Sequence, residues 1–283
     1  KLDDGLNGIV ANLSSVEHAF GTTLFSNADV PAFTVGPVTI EPRGAWLDRK
    51  ATEGEVTPVT QRRVKRIWAG HRVGARKNNR DKLWEDDIVK AIGACPYVVT
   101  VKLSAAFASD AGLETALTAA RLTLACIALT YETPSVTLQG FNLLYDGPIH
   151  RQTALTFIPG KVVLSGSRVS RRPSGPIMRA KDWQAELTRL ADMFAGCGEV
   201  LNNLVDPARS TARPELLEAL LQALIWFEKG CRETGDLMAT VAFAASLDAL
   251  GKGTKTHGIL TVLEARLGIK RTDPINPQGP TFQ

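Results

Sequence analysis

A chain of 283 residues that is 44 % apolar and 22 % charged has globular composition and enough apolar mass for one large core or two ordinary ones. The formal net charge of +4 is too small to imply nucleic acid by itself, so only its distribution bears on that question. No stretch approaches the roughly 18 uninterrupted apolar residues of a membrane span. The opening KLDDGLNGIVANL has no basic segment followed by an apolar core and a small-residue cleavage site, so no secretory signal is expected. Cys95, Cys126, Cys197 and Cys231 form no C-x-x-C pair. That spacing argues against a disulfide framework or a zinc ribbon and for reduced, mostly buried thiols in a cytoplasmic protein.

Taken in chain order, the first half mixes strands and helices. Phe33 to Ile40 (FTVGPVTI) is β-branched and broken by Gly-Pro, which predicts two short strands and a turn. Tyr97 to Leu103 (YVVTVKL) predicts a strand. Leu113 to Leu129, rich in Ala and Leu and free of Gly and Pro, predicts a helix. Ser135 to Tyr145, Thr153 to Ile158 and Lys161 to Val169 are expected as three further strands, the last two joined by a Pro159-Gly160 turn. Then VSRRPSGPIMR, with two prolines and three arginines, reads as a linker.

Beyond it the pattern is helical. Asp182 is placed to cap a helix from Trp183 with Trp183, Leu187, Leu190, Met193 and Phe194 on one face. Pro214 opens PELLEALLQALIWFEKG, and Gly230 is expected to stop it. A third helix runs from Asp236 to Gly251; being apolar or small nearly all round, it is expected at the centre of a bundle. A fourth covers about Ile259 to Leu267. Asp248 interrupts the third helix on the face of Leu237, Val241 and Ala244, in the last turn, where the helix dipole disfavours an anion. It is either exposed, held in a structural ion pair with a base from another helix, or chemically active.

Three pieces of this region carry a resemblance: Ala223-Leu224-Ile225-Trp226-Phe227, then Ser246-Leu247-Asp248-Ala249-Leu250, then Arg266-Leu267-Gly268. Over about a fifth of its length the chain resembles Apea-like HEPN domains. The resemblance implies a helical bundle, commonly a homodimer, and a metal-independent endoribonuclease of bacterial toxin or antiphage defence systems. It implies a site built from an Arg and, a few residues on, a His on a late helix. After Gly268 the sequence runs IKRTDPINPQGPTFQ, without that motif.

Other candidate site residues lie upstream. Gln61 to Lys82 holds Arg62, Arg63, Lys65, Arg66, Arg72, Arg76, Lys77, Arg80 and Lys82 against one acid, Asp81, with Trp68 inside it and Trp84 just beyond. Arginine and lysine neutralise phosphates and an exposed Trp stacks on bases, so this is the candidate RNA-binding segment; a solvated basic face with buried Trp residues is the alternative. Arg66 and His71 match the HEPN spacing, and His257 lies in the polar stretch GKGTKTHG; these three are the candidate catalytic residues. His18, His71, His150 and His257 are scattered, and no metal cluster, phosphate loop or dinucleotide fingerprint is present, so no cofactor is expected.

The expectation is an α+β protein: a strand-rich mixed domain over 1–170, a linker over 171–178, and an all-helical HEPN-like domain over 179–283. The expected function is RNA cleavage or binding as a homodimer, with no membrane partner. The alternative is a non-catalytic nucleic-acid- or ligand-binding module in which the helices only dimerise.

Overall fold

In the computed structural model, residues 16–103, 110–146, 150–156, 164–170, 175–268, 270 and 272–273 are described. Four antiparallel strands form the sheet in the order β1-β4-β3-β2: β1 (Val16–Thr22), β2 (Phe33–Val35), β3 (Val38–Pro42) and β4 (Tyr97–Leu103). The predicted Gly-Pro turn is Gly36-Pro37, between β2 and β3, and Gly36 has φ +57°. Central β4 is buried on both faces, which its near-continuous apolar run anticipates. Tyr97, Val99, Val101 and Leu103 enter the main core, whereas Val98 enters a smaller cluster on the opposite face.

That smaller cluster is closed by three helices: α1 (Arg43–Thr52), α2 (Pro58–Trp68) and α3 (Asn79–Ile92). Trp46 and Leu47, Val64, and Ile92 are their buried contributions. An ion cluster fastens α1 to the sheet. Arg49 meets Glu41 of β3 at 2.6 Å, Glu17 of β1 at 3.1 Å and Glu53 at 3.1 Å; Lys50 meets Glu17 at 3.0 Å and Glu55 at 2.6 Å. Burial alone pushes the Glu17 carboxyl up, but the bonds from Arg49 and Lys50 outweigh it and hold Glu17 below its ordinary value.

On the other face lies α4 (Asp110–Ala128). Its Ala111–Ala128 stretch is long and apolar enough to cross a membrane, yet two thirds of it is buried inside the protein, as befits a core helix. The expected strand over 135–145 is instead the helix α5 (Pro134–Gly140) and a 3-10 turn, Leu144–Asp146. Pro134 sits in the first turn, where its fixed φ favours a helix. Arg232, from far along the chain, then takes the carbonyls of Phe141 at 2.7 Å and Leu138 at 3.3 Å, and only an isolated antiparallel bridge from Leu143 to Thr22 joins this segment to β1. Strands β5 (His150–Thr156) and β6 (Leu164–Ser170) form a separate antiparallel hairpin. The expected turn at Pro159-Gly160 lies outside the described residues, as do 171–174 of the expected linker.

Residues 175–178 are docked rather than free. Gly175 N–H donates to Thr23 O at 2.8 Å, Ser26 N–H to Pro176 O at 3.1 Å, and Asn27 exchanges two bonds with the Met178 backbone. The chain then enters α6 (Ala180–Arg189) and α7 (Ala191–Val205), separated at Leu190 where one helix was expected. Arg179, not Asp182, is the residue before the first turn; Asp182 accepts from it at 2.5 Å. Next come α8 (Pro214–Arg232), α9 (Asp236–Leu250) and α10 (Lys255–Leu267). Gly230 does not end α8. It lies within the helix because the Phe243 ring of α9 packs where a Cβ would stand.

Two further expectations change. Helix α9 is not central: Leu237, Met238 and Val241 are exposed and Ala242 is its only buried residue. Helix α10 begins one turn early, so Lys255 to Gly258 are helical rather than loop. The main core also runs past the expected domain boundary. Trp183, Phe194, Val200 and Leu201 share it with Phe25, Phe33, Tyr97 and α4.

Two outcomes test this packing. Gly36 and Gly198 of α7 touch backbone to backbone, and a Cβ on Gly198 would come within 2.9 Å of Gly36 N. Gly198→Ala is expected to lose about 1–3 kcal/mol by overpacking, read from denaturant midpoints. Glu17, held low in the folded state, contributes stability above its ordinary value of 4.5 that is lost as pH falls through the lowered one. Wild type should therefore exceed Glu17→Gln in stability at neutral pH, with the gap closing in acid.

Candidate nucleic-acid interface

The basic segment folds as α2, an extended connection and α3. Thr57 caps α2 by accepting from Thr60 N–H at 3.2 Å, and Asn78 caps α3 by accepting from Arg80 N–H at 3.0 Å. The connection leaves α2 through Gly70, at φ +80°. These caps fix how the cations are displayed.

Part of the charge is consumed internally. Arg63 grips buried Glu85 with two bonds, 2.6 and 2.9 Å, and donates to Gly74 O at 2.8 Å. Arg76 donates to Asp81 at 2.9 Å and Thr60 at 3.2 Å. Lys65 meets Asp48 at 2.5 Å. These contacts hold α2, α3 and their connection together, and Arg63 and Arg76 are half-buried.

The rest is presented outward. Arg62, Arg66, Arg72, Lys77, Arg80 and Lys82 are exposed and have no ion pair among the described residues. Arg62 bonds only the Pro58 carbonyl, at 3.3 Å. The two Trp residues divide in the same way. Trp68 packs against the smaller core under the Arg43 guanidinium, 5.1 Å from its ring centre. Trp84 is 50 % exposed, and Arg80 covers one face of its ring at 4.8 Å. The ring also lines a cleft of about 280 Å³ with Glu55, Val56, Thr57, Thr60, Asp87 and Ile88.

Arg66 lies in the last turn of α2, and its carbonyl accepts the His71 N–H at 2.9 Å beyond the helix end. The two therefore do not share a helix. His257 is in the first turn of α10, a different part of the chain. Asp248 is half-buried and accepts from the Lys255 backbone N–H at 2.7 Å. Its partner is the N-terminus of α10, where the dipole favours an anion, not a base on another helix. His18, on β1, has a buried Nε2 without a hydrogen bond, and burial holds its pKa down. It borders a cleft of about 450 Å³ with Asp87, Lys90 and Tyr145. Among the described residues no three His, Cys, Asp or Glu side chains converge as metal ligands.

Comparison with protein-family models, curated proteins and solved structures gave no match. The chemistry must therefore be argued from the side chains themselves. Sequence reading found the basic segment; its division into paired and outward cations depends on Glu85 and Asp48, whose roles no local pattern signals.

Asp248→Ala is expected to cost about 0.5–2 kcal/mol, the worth of a helix cap rather than of a broken buried ion pair. Asp248→Asn, which keeps an acceptor, should lose less. Thermal unfolding of the two variants beside wild type measures both.

Proposed function

We propose that this chain binds single-stranded RNA through the outward face of α2, α3 and their connection. The observation that carries the reading is exposed Trp84, half-covered by Arg80, amid cations left over after the internal ion pairs are made. Cations that track phosphates beside an aromatic ring that stacks on a base are the two parts of single-strand binding. Arg62, Arg66, Arg72, Lys77, Arg80 and Lys82 supply the first part and Trp84 the second. Arg63, Lys65 and Arg76 brace the face from within.

In this reading α6 to α10 form the HEPN-like part, and two copies pair through it. Exposed Leu237, Met238 and Val241 on α9, beside Trp226 on α8, support self-association. The RNA cleavage implied by the resemblance has no assigned residues among those described: Arg66 and His71 meet through a backbone hydrogen bond past the end of α2, and His257 lies on α10.

The test separates the two kinds of contact. Log affinity for a fluorescent oligoribonucleotide should fall linearly with log salt, with roughly 0.7 of slope per phosphate contact. Arg72→Ala should flatten that line by about one such step. Trp84→Ala should weaken binding by about 1–3 kcal/mol and leave the slope alone. Salt-insensitive binding, or no binding by wild type, overturns the reading.

A further inference from the structure

The cleft beside Trp84 is more than a stacking platform. Its volume of about 280 Å³ is at the small end for ligand sites, which suits one base and no larger group. Trp84, Asp87 and Ile88 enter it from α3 at i, i+3 and i+4, the spacing that puts side chains on one helix face. The Asp87 carboxylate therefore stands about one turn from the indole, with Cβ atoms roughly 5–6 Å apart, a separation comparable with the breadth of a base. Val56, Thr57 and Thr60 supply the α2 side of the cleft. Val56 and Ile88 pack on the smaller core, so both sides are anchored.

The polar side chains of this cleft are mostly engaged already. Glu55 takes the Lys50 ammonium at 2.6 Å. The Thr57 and Thr60 hydroxyls bond each other at 3.0 Å, and Thr60 also accepts from Arg76 at 3.2 Å. Asp87 differs. It is exposed, has no ion pair or hydrogen bond among the described residues, and stands between this cleft and the one beside His18. A carboxylate is an acceptor only, with two oxygens side by side. It matches a base edge that carries two adjacent donors. Guanine has such an edge, in its ring N1–H and exocyclic N2 amino group. Adenine and cytosine place an acceptor nitrogen beside their amino group, and uracil flanks its N–H with two carbonyls. Each of those sets lone pair against lone pair at the carboxylate.

Building on single-strand binding by this face, we propose that the Trp84 cleft is a guanine-selecting subsite in which Asp87 determines specificity. The base stacks on the indole face that the Arg80 guanidinium leaves open. The Asp87 carboxylate accepts N1–H and N2–H in parallel, a charge-assisted bidentate pair. The phosphates on either side of the base reach the outward cations. Ring and cations thus hold any strand, and Asp87 decides which base occupies the cleft.

The experiment uses the full chain and fluorescent oligouridines of one length, with the central residue left as uridine or replaced by guanosine, inosine or adenosine. The guanosine strand should bind about tenfold or more tighter than the uridine strand. Inosine keeps N1–H and lacks the N2 amino group, so its strand should fall between them. Adenosine stacks well but offers no paired donors, and should gain less than about threefold. Asp87→Asn exchanges one acceptor oxygen for a donor and should bring guanosine and uridine strands within about twofold of each other. Asp86→Asn removes a neighbouring charge that does not line the cleft, and should keep the preference. Guanosine monophosphate brings a single phosphate, so it should compete only at concentrations about tenfold higher or more. Salt-sensitive binding of guanosine and uridine strands alike overturns guanine selection and leaves single-strand binding standing. Absence of salt-sensitive binding to any strand removes both. A preference that survives Asp87→Asn, or competition by guanosine monophosphate at equal concentration, also overturns the proposal.

Discussion

Burial of Trp183 is the contact on which the rest of the architecture depends. Its ring is 1 % exposed and packs against Phe25 at 5.3 Å, Phe33 at 5.0 Å and Phe194 at 5.9 Å. Those partners come from the segment after β1, from the edge strand and from α7. A single side chain thus joins the sheet to the C-terminal helices. Phe25 passes the contact on to Tyr97 of β4 and to Phe141 beyond α5. Aromatic pairs in such edge and tilted arrangements add about 0.5–1.5 kcal/mol each beyond the area they bury. The docking of residues 175–178 along 23–27 brings Trp183 to this place, and the tight approach of Gly175 to Leu24 O leaves no room for another residue there. The helices are therefore not a module carried behind a linker. They complete the core that the sheet opens.

What was legible in the sequence follows from where each element finds its partners. The β-branched runs 33–40 and 97–103 became β2, β3 and β4 because their own pattern already specified the faces. Ala- and Leu-rich 113–129 became α4 because no residue in it opposed a helix. The run from Ser135 failed as a strand because Pro134 opens a helical turn there, and the group that takes carbonyls at its end, Arg232, is nearly a hundred residues away. Helix α9 failed for a related reason. Small and apolar residues on all sides give a helix no preferred face, so its composition left open which neighbours, if any, would cover it. Ala242 alone is fully buried, residues 245–250 are half-covered, and Leu237, Met238 and Val241 stay exposed.

The site was legible to the same extent. Counting cations located the segment from 61 to 82, but counting could not say which of them remain for a partner. Arg63 and Arg76 converge on Glu85, which lies on α3 and is 4 % exposed. A buried carboxylate needs such partners, because stranding it without a cation costs several kcal/mol. The fold therefore requires two of the nine cations for its own integrity, and the Lys65–Asp48 pair engages a third. Six remain, spread over the end of α2, the connection and the first turn of α3.

Asp248 shows how a residue can satisfy a family-like pattern for a purely local reason. An acid in the last turn of α9 faces the negative end of its own helix dipole. The chain then turns through Gly251 and Gly253, and α10 begins with its N-terminus beside that same carboxylate. The Lys255 N–H, otherwise unpaired in the first turn of α10, finds its acceptor there. The unfavourable position in one helix is thus the favourable one for the next. An acid at this place ties the end of α9 to the start of α10 by one hydrogen bond, beside the close backbone approach of Gly251 to Gly258. The carboxylate's place is thus explained by the turn it closes.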